Sequence, residues 1–176
     1  TRMKLTLALM DETEESRDLL TDVDQMERML GEFLAFARGD GLEETVDCNP
    51  FLLATGAVED ARRSGAVIRL VRVDETRQGG TVALRPGAIG RAIQNLIGNA
   101  QRHGTKVVLT VRLAARTLSF IVEDDGPGIP EADRARAMQP FTRLDAARNL
   151  DSGPGNVGLG LTIALDVARS HGGTLD

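Results

Sequence analysis

The sequence predicts an α+β protein in two unlike parts, a short helical hairpin over residues 1–40 and a larger body over residues 41–176. The first part contains ten acidic and five basic side chains, a balance of −5 that equals the net charge of the whole chain. The remainder is therefore neutral. Apolar residues repeat every three or four positions in the first part, whereas strand-like alternation and helical stripes follow one another in the second.

The hairpin is predicted from two apolar stretches separated by a polar break. Residues 3–10 resemble the last turns of a helix that begins upstream, and Ser16 is predicted to cap a second helix that ends at Gly39. The second helix has an apolar seam formed by Leu19, Val23, Met26, Leu30, Phe33 and Ala37. About three heptads are too short to be stable alone. We expect the seam to pack on the first helix and a second copy of the hairpin; packing on its own body is the alternative.

The body opens with short elements whose ends carry clear signals. Thr45–Cys48 is predicted to form a strand. Asn49 is a favourable N-cap and Pro50 suits the first helical position, so a helix is predicted from there to about Arg63. Val67–Val73 alternates apolar and charged residues, as a half-buried strand does.

The middle of the body is predicted to hold a long helix between strands. Thr81–Arg85 is a short strand candidate, and Pro86 opens a helix over Ala88–Arg102 with one apolar face. Lys106–Leu113 and Thr117–Glu123 are separated by three residues and indicate a β-hairpin.

The end of the chain combines a long loop with a final helix. Residues 126–157 are rich in glycine, proline and charge and lack periodicity, which predicts a loop of the length typical of functional lids. Gly158–Ser170 is predicted to be helical, with His171 as a helix-end residue. Thr174–Asp176 is predicted to begin a strand.

Composition excludes several classes of protein. Apolar residues make up 41% of the chain, which is too many for a disordered protein. No apolar run approaches the ~18 residues of a membrane span, and a single cysteine, Cys48, rules out an internal disulfide framework. There is no basic excess and no Trp or Tyr, so nucleic-acid binding is disfavoured.

Two asparagines on the long helix form the first candidate site. Asn95 and Asn99 are four residues apart and share one helix face. Amide oxygens are hard ligands that suit Mg²⁺, and Arg102 lies where it can reach a phosphate. A pair of buried amides that bond to the backbone is the alternative.

Acidic and glycine-rich segments form the other candidates. A predicted strand runs into the carboxylates Glu123, Asp124 and Asp125 and then into Gly126 and Gly128. A carboxylate at a strand end can accept a hydrogen bond from an amine such as that of adenine, and an acidic turn is the alternative. Residues 153–161 are rich in glycine and run into a helix, where backbone N–H groups can bind an anion. Phe141 lies in the predicted loop over residues 126–157, where its ring either latches the loop to the body or is an ordinary loop anchor.

In this order and spacing, the four segments resemble the N, G1, F and G2 boxes of bacterial sensor histidine kinases, with the osmosensor-like (EnvZ-like) subgroup as the best match. The resemblance covers residues 45–176 and implies a GHKL-type α/β sandwich that binds ATP and Mg²⁺. Residues 1–40 resemble the back part of the family's dimerisation and phosphoacceptor hairpin, which is half of a four-helix bundle in a homodimer.

The resemblance also implies the roles of individual residues. Asn99 corresponds to the Mg²⁺ ligand, Asp124 to the adenine-reading carboxylate, and His103 to a position beside the adenine. The full set of implied nucleotide-site residues is Asn95, Asn99, Arg102, His103, Asp124, Gly126, Gly128, Ile129, Phe141, Arg143, Gly158, Leu159, Gly160 and Leu161.

The implied reaction transfers the ATP γ-phosphoryl group to a histidine, for relay to the receiver domain of a response regulator. The accepting histidine of the family would lie upstream of Thr1, and neither His103 nor His171 is expected to replace it. The family's membrane sensor would also lie upstream, which makes this chain the cytoplasmic portion of an inner-membrane protein. The alternative is a degenerate GHKL module that binds nucleotide without phosphotransfer.

Overall fold

The computed structural model describes residues 43–76, 80–142 and 158–176, together with nine positions between 16 and 31. Each predicted strand and helix between Thr45 and Ser170 has a counterpart within two residues of its predicted ends. In chain order the elements are β1 (Val46–Cys48), α1 (Pro50–Arg63), β2 (Ile68–Asp74), β3 (Val82–Leu84), α2 (Pro86–His103), β4 (Val107–Leu113), β5 (Leu118–Asp124), α3 (Glu131–Ala137) and α4 (Gly160–Ser170).

The strands within the described part of the chain form two small sheets. The order of the larger sheet is β2-β4-β5, with β2 parallel to β4 and β4 antiparallel to β5. β1 pairs with β3 in an antiparallel ribbon. The predicted β-hairpin is confirmed as β4 and β5, and its register pairs Val107 with Asp124, so the end of β5 lies beside the start of β4.

The main core lies between the larger sheet and helices α1 and α2. Every second residue of β4 is buried and faces these helices: Val107, Leu109, Val111 and Leu113. From α2, Ile93 and Ile97 enter the same core and are almost fully buried. Burying an aliphatic side chain of this size contributes roughly 1.5–3 kcal/mol.

A second apolar cluster joins α2 to α4. It contains Ala88 and Ala92 from α2, and Ile163, Ala164 and Val167 from α4, with Leu159 just before that helix. Because α2 contributes to both clusters, it holds α4 in place relative to the sheet. The two helices that carry the predicted asparagine and glycine segments therefore pack side by side.

Local signals explain why α1 begins where it does. The Asn49 side chain accepts hydrogen bonds from the backbone N–H groups of Phe51 at 2.9 Å and Leu52 at 3.3 Å, and Pro50 occupies the first turn. This confirms the predicted N-cap, an arrangement that satisfies donors that a helix start leaves unpaired.

Two predictions about the end of the body are wrong. The stretch predicted to be a loop contains α3, a helix of seven residues whose three apolar residues are all alanine and so give no periodic signal. Thr174–Asp176 is not a strand; Leu175 instead packs against the second cluster. Residues 143–157, including Arg143, lie outside the described residues.

The hairpin prediction is only partly covered by the described positions. Ser16 is helical and buried, so it is not the N-cap that the sequence suggested, since an N-cap precedes the helical residues. Along the seam Val23 is buried, whereas Leu19, Met26 and Leu30 are exposed. The remaining seam residues, Phe33 and Ala37, and the first predicted helix lie outside the described residues. Across the residues that are described, no helix has the length and apolar character of a membrane span.

Candidate functional site

Asn95 of α2 faces the start of α4, and Asn99 lies one turn farther along α2. Both are half-buried, and a methyl group added to Gly160 would lie 3.6 Å from Oδ1 of Asn95, an ordinary contact distance. The predicted asparagine and glycine segments are separated by more than fifty residues in sequence but are neighbours in space. The second apolar cluster produces this approach, because it packs the two helices together just beside the polar pair.

The start of α4 has the properties of an anion site. Leu159 precedes the helix and is fully buried, which fixes the helix end against α2. Among the described residues no side chain caps this end, and the first turn contains no acidic residue. The first N–H groups and the positive end of the helix dipole are thus directed toward the space beside Asn95.

The loop that contains Phe141 is held against the segment before α4. The N–H of Phe141 donates to the carbonyl of Gly158 at 3.0 Å, and the Thr162 hydroxyl donates to the carbonyl of Met138 at 3.2 Å. Gly158 has a φ of 74°, and a methyl group there would lie 2.7 Å from the carbonyl oxygen of Thr142. Only glycine fits this position without displacing the loop.

Phe141 itself has an unusual conformation. Its φ is 62°, the single left-handed value of a non-glycine residue in the part of the chain that the structure describes, and its side chain is 59% exposed. Left-handed backbone at a bulky residue costs energy and is concentrated at functional sites. Phe141 is thus largely exposed, and its role as a latch or as an ordinary loop anchor stays a prediction.

Asp124 lies at the end of β5, beside the end of α2. Its Oδ1 accepts a hydrogen bond from the N–H of Gly126 at 2.8 Å. A methyl group on Gly126 would lie 2.5 Å from the carbonyl oxygen of His103, so glycine is required for this approach. Gly128 follows with a φ of 69°, and the half-buried Ile129 accepts a hydrogen bond from Arg134 through its carbonyl.

Asp125 fastens the acidic segment to the turn after α2, a role that the sequence did not reveal. Its Oδ1 accepts from the N–H groups of Thr105 at 2.6 Å and Lys106 at 3.0 Å, and its Oδ2 accepts from the Thr105 hydroxyl at 2.8 Å. The Lys106 N–H, then the two Thr105 donors, lower the pKa of Asp125 to about 2. The pair of adjacent aspartates was visible in sequence, but not which of them makes these bonds.

The remaining predicted residues surround the same region. Arg102 and His103 lie in the last turn of α2 and are exposed, and Leu161 is half-buried in the first turn of α4. The structure therefore brings the asparagine, acidic, aromatic and second glycine segments together around α2 and α4. Arg143 alone among the predicted site residues lies outside the described residues.

Comparison with known proteins identifies the family. The family described as "Histidine kinase-, DNA gyrase B-, and HSP90-like ATPase" matches residues 85–176, which is just over half of the chain. The chain belongs to this ATPase family. The matched range includes α2, the acidic segment, the Phe141 loop and α4. The predicted GHKL-type fold of the body is confirmed, as is an ATP-binding domain.

Individual relatives agree with this assignment. "Sensor protein RstB" of Escherichia coli K12 is 34% identical over 167 residues, covering 92% of this chain and 38% of the relative. "Sensor histidine kinase GtrS" of Pseudomonas aeruginosa PAO1 is 30% identical over 176 residues, covering 98% and 34%. The histidine kinase domain of the E. coli osmosensor EnvZ matches with a TM-score of 0.53 at 30% identity, over 76% of this chain and 78% of that domain. The chain spans little more than a third of the length of the two curated relatives.

Proposed function

We propose that this GHKL-family chain is the ATP-binding catalytic core of a two-component sensor histidine kinase. It transfers the ATP γ-phosphoryl group to a histidine on the dimerisation hairpin, for relay to an aspartate of a response-regulator receiver domain. The observation that carries the proposal is the approach of Asn95, one turn before Asn99 on α2, to the uncapped start of α4, where Gly160 lies. The relatives named as sensor kinases support it.

The adenine end of the nucleotide is assigned to the acidic segment. Asp124 is exposed at a strand end, where its carboxylate accepts a hydrogen bond from the adenine amine. Gly126 and Gly128 let the backbone approach the base closely, and Ile129 supplies an apolar wall. The carbonyl of His103 lies against Gly126, and we assign the His103 ring to the edge of this pocket.

The phosphate end is assigned to the start of α4. The N–H groups around Gly160 and Leu161 and the helix dipole attract the phosphate charge. Arg102 at the end of α2 adds a cation, and we assign Phe141 and Arg143 to the nucleotide site on the family resemblance. Phosphoryl transfer needs positioning and charge neutralisation more than covalent chemistry, and this arrangement supplies both.

The donor set fits one Mg²⁺ ion held mainly by the nucleotide. No group of three His, Cys, Asp or Glu side chains suited to a metal occurs among the described residues. Mg²⁺ usually retains waters and shares its sphere with phosphates, so a single amide ligand, Asn99, is sufficient. Asn95 supports the nucleotide on the same helix face. When bound, the ion neutralises charge that develops on the phosphates.

We assign residues 1–40 to the dimerisation hairpin and residues 41–176 to the ATP-binding domain. The exposed Leu19, Met26 and Leu30 provide the surface that pairs with a second copy of the hairpin. The longer protein is anchored in the inner membrane through upstream regions, and this portion is cytoplasmic. Its second partner is the response regulator.

The test is autophosphorylation of a version extended upstream to include the histidine of the hairpin. With γ-labelled ATP and Mg²⁺, we expect an acid-labile, base-stable label on that histidine. The same version with Asn99→Ala should remain unlabelled, and the same version with the histidine replaced by glutamine serves as a second control. A folded dimer that binds ATP yet takes up no label would contradict phosphotransfer and favour a non-catalytic nucleotide-binding regulator.

A further inference from the structure

Glu43 lies at the start of the proposed ATP-binding domain, three residues after the end of the proposed hairpin, and it caps the helix that carries the asparagine pair. Its Oε1 accepts from the N–H of Gly87 at 2.6 Å, and its Oε2 accepts from the N–H of Ala88 at 2.8 Å. A carboxylate that accepts two N–H groups at a helix start is stabilised by charge-assisted bonds and by the helix dipole. The contact spans 44 residues of sequence.

The residue at the N-cap position of α2 does not itself cap the helix, so the start of α2 is available to Glu43. Arg85 makes no side-chain cap; its guanidinium instead donates to the hydroxyl of Ser170 at 2.6 Å and the carbonyl of Ser170 at 3.0 Å. The Arg85 N–H donates to Nε2 of His171 at 3.1 Å. Nε2 is therefore the acceptor, and Nδ1 donates to the carbonyl of Val167 at 2.8 Å. The start of α2 is thus tied to the end of α4 as well as to Glu43.

Gly87 provides the space that the Glu43 carboxylate occupies. A methyl group on Gly87 would lie 2.8 Å from Oε1 and 3.0 Å from Oε2 of Glu43. The backbone of Gly87 does not lie in the left-handed region, so alanine suits it in every other respect. Glycine is needed at this helix position because the Glu43 carboxylate lies so close, not because of the backbone conformation.

We propose that Glu43 is a clamp that holds the first residues of the ATP-binding domain on α2 and restrains how that domain turns relative to the hairpin. The clamped helix is the one that presents Asn95 and Asn99, about 12 and 18 Å farther along its axis from Gly87. Through Arg85 the same end is connected to α4. A change at the start of the domain therefore reaches both helices of the nucleotide site. This inference rests on the proposed division into hairpin and catalytic domain.

The contact is tested by combining Gly87→Ala with Glu43→Ala and measuring urea unfolding of the four proteins. In the wild-type background the added methyl displaces Glu43, so Gly87→Ala lowers the unfolding midpoint. In the Glu43→Ala background the same substitution raises the midpoint, because alanine favours a helix over glycine. A change of the same sign and size in both backgrounds would overturn the clamp.

Restraint of domain motion is tested by backbone ¹⁵N relaxation of the same chain. Glu43→Ala should shorten the rotational correlation time of the ATP-binding domain relative to that of the hairpin, and Glu43→Gln, which keeps one acceptor oxygen, should shorten it less. Glu44→Ala is the matched control and should behave as wild type. Equal correlation times in Glu43→Ala and Glu44→Ala would refute the clamp. Neither experiment requires nucleotide, so their results are separate from those of the ATP-binding and phosphorylation tests.

Discussion

Replacing Gly160 with alanine should separate nucleotide binding from folding. The added methyl would lie 3.6 Å from Oδ1 and 3.7 Å from Cβ of Asn95, so the fold can accept it without rearrangement. Alanine in the first turn favours the helix by up to about 1 kcal/mol over glycine. We therefore expect the unfolding free energy to stay equal or rise slightly, although the methyl occupies the space between α4 and the asparagine pair.

The expected loss is in affinity for Mg-ATP. A phosphate kept away from one backbone N–H loses a charge-assisted hydrogen bond, which contributes about 1.5–3 kcal/mol. That corresponds to a dissociation constant roughly 10- to 150-fold weaker. Isothermal titration calorimetry gives the affinity, and urea unfolding of the same sample gives the stability.

Gly158→Ala is the contrasting variant. Its φ of 74° costs an alanine about 1–2 kcal/mol, and its methyl would meet the carbonyl oxygen of Thr142 at 2.7 Å, so the Phe141 loop must move. This variant should lose both stability and nucleotide affinity, whereas Gly160→Ala loses affinity alone. Wild-type affinity in folded Gly160→Ala would refute the placement of the phosphates at the start of α4.

Three further predictions concern acid stability, the core and a helix cap. The Lys106 N–H and the Thr105 donors lower the pKa of Asp125 from 3.8 to about 2, so the ionised carboxylate stabilises the fold fully above pH 3.8 and loses that effect as the pH falls toward about 2. The difference in melting temperature between wild type and Asp125→Asn should therefore shrink between these two pH values and stay constant above pH 3.8. Leu109→Ala, at a fully buried position, should cost about 2–5 kcal/mol in urea unfolding, whereas the exposed Leu52→Ala should change stability by less than about 0.5 kcal/mol; similar losses would contradict the assigned core. Asn49→Ala should cost about 1 kcal/mol and Asn49→Asp much less, and a thermal melt in which both lose equally would rule out the cap.

Local sequence signals predicted most elements of the body. Asn49 and Pro50 fixed the start of α1 because a cap acts on its own backbone neighbours, and the alternation in β2 reflects burial on one face. Helix α3 was missed because its seven residues are four charged residues and three alanines, and only Ala137 is buried. The strand expected at Thr174–Asp176 depends on a neighbour to pair with, which sequence periodicity cannot provide.

Candidate residues of the site could be selected from the sequence, but the hydrogen bonds that hold their segments together could not. Asn95, Asn99, Asp124 and Gly160 could be selected because residue type and spacing indicate their chemistry. Asp125 accepts a hydrogen bond from the backbone N–H of Thr105, about 20 positions away, and Glu43 accepts one from the start of α2, 44 positions away. The donors are backbone N–H groups, which nearly every residue has, so residue type does not reveal the partners. Such contacts depend on tertiary packing and leave no local pattern.

We propose that Asn99 holds Mg-ATP beside the start of α4. The most direct measurement is calorimetric titration of ATP, with Mg²⁺ and with EDTA, into wild type, Asn99→Ala and the control Gln101→Ala, which alters an exposed residue of the same helix. We expect wild type and Gln101→Ala to bind ATP more tightly with Mg²⁺, and folded Asn99→Ala to lose that Mg²⁺-dependent gain. Magnesium-dependent binding of equal strength in Asn99→Ala would rule out Asn99 as the Mg²⁺ ligand.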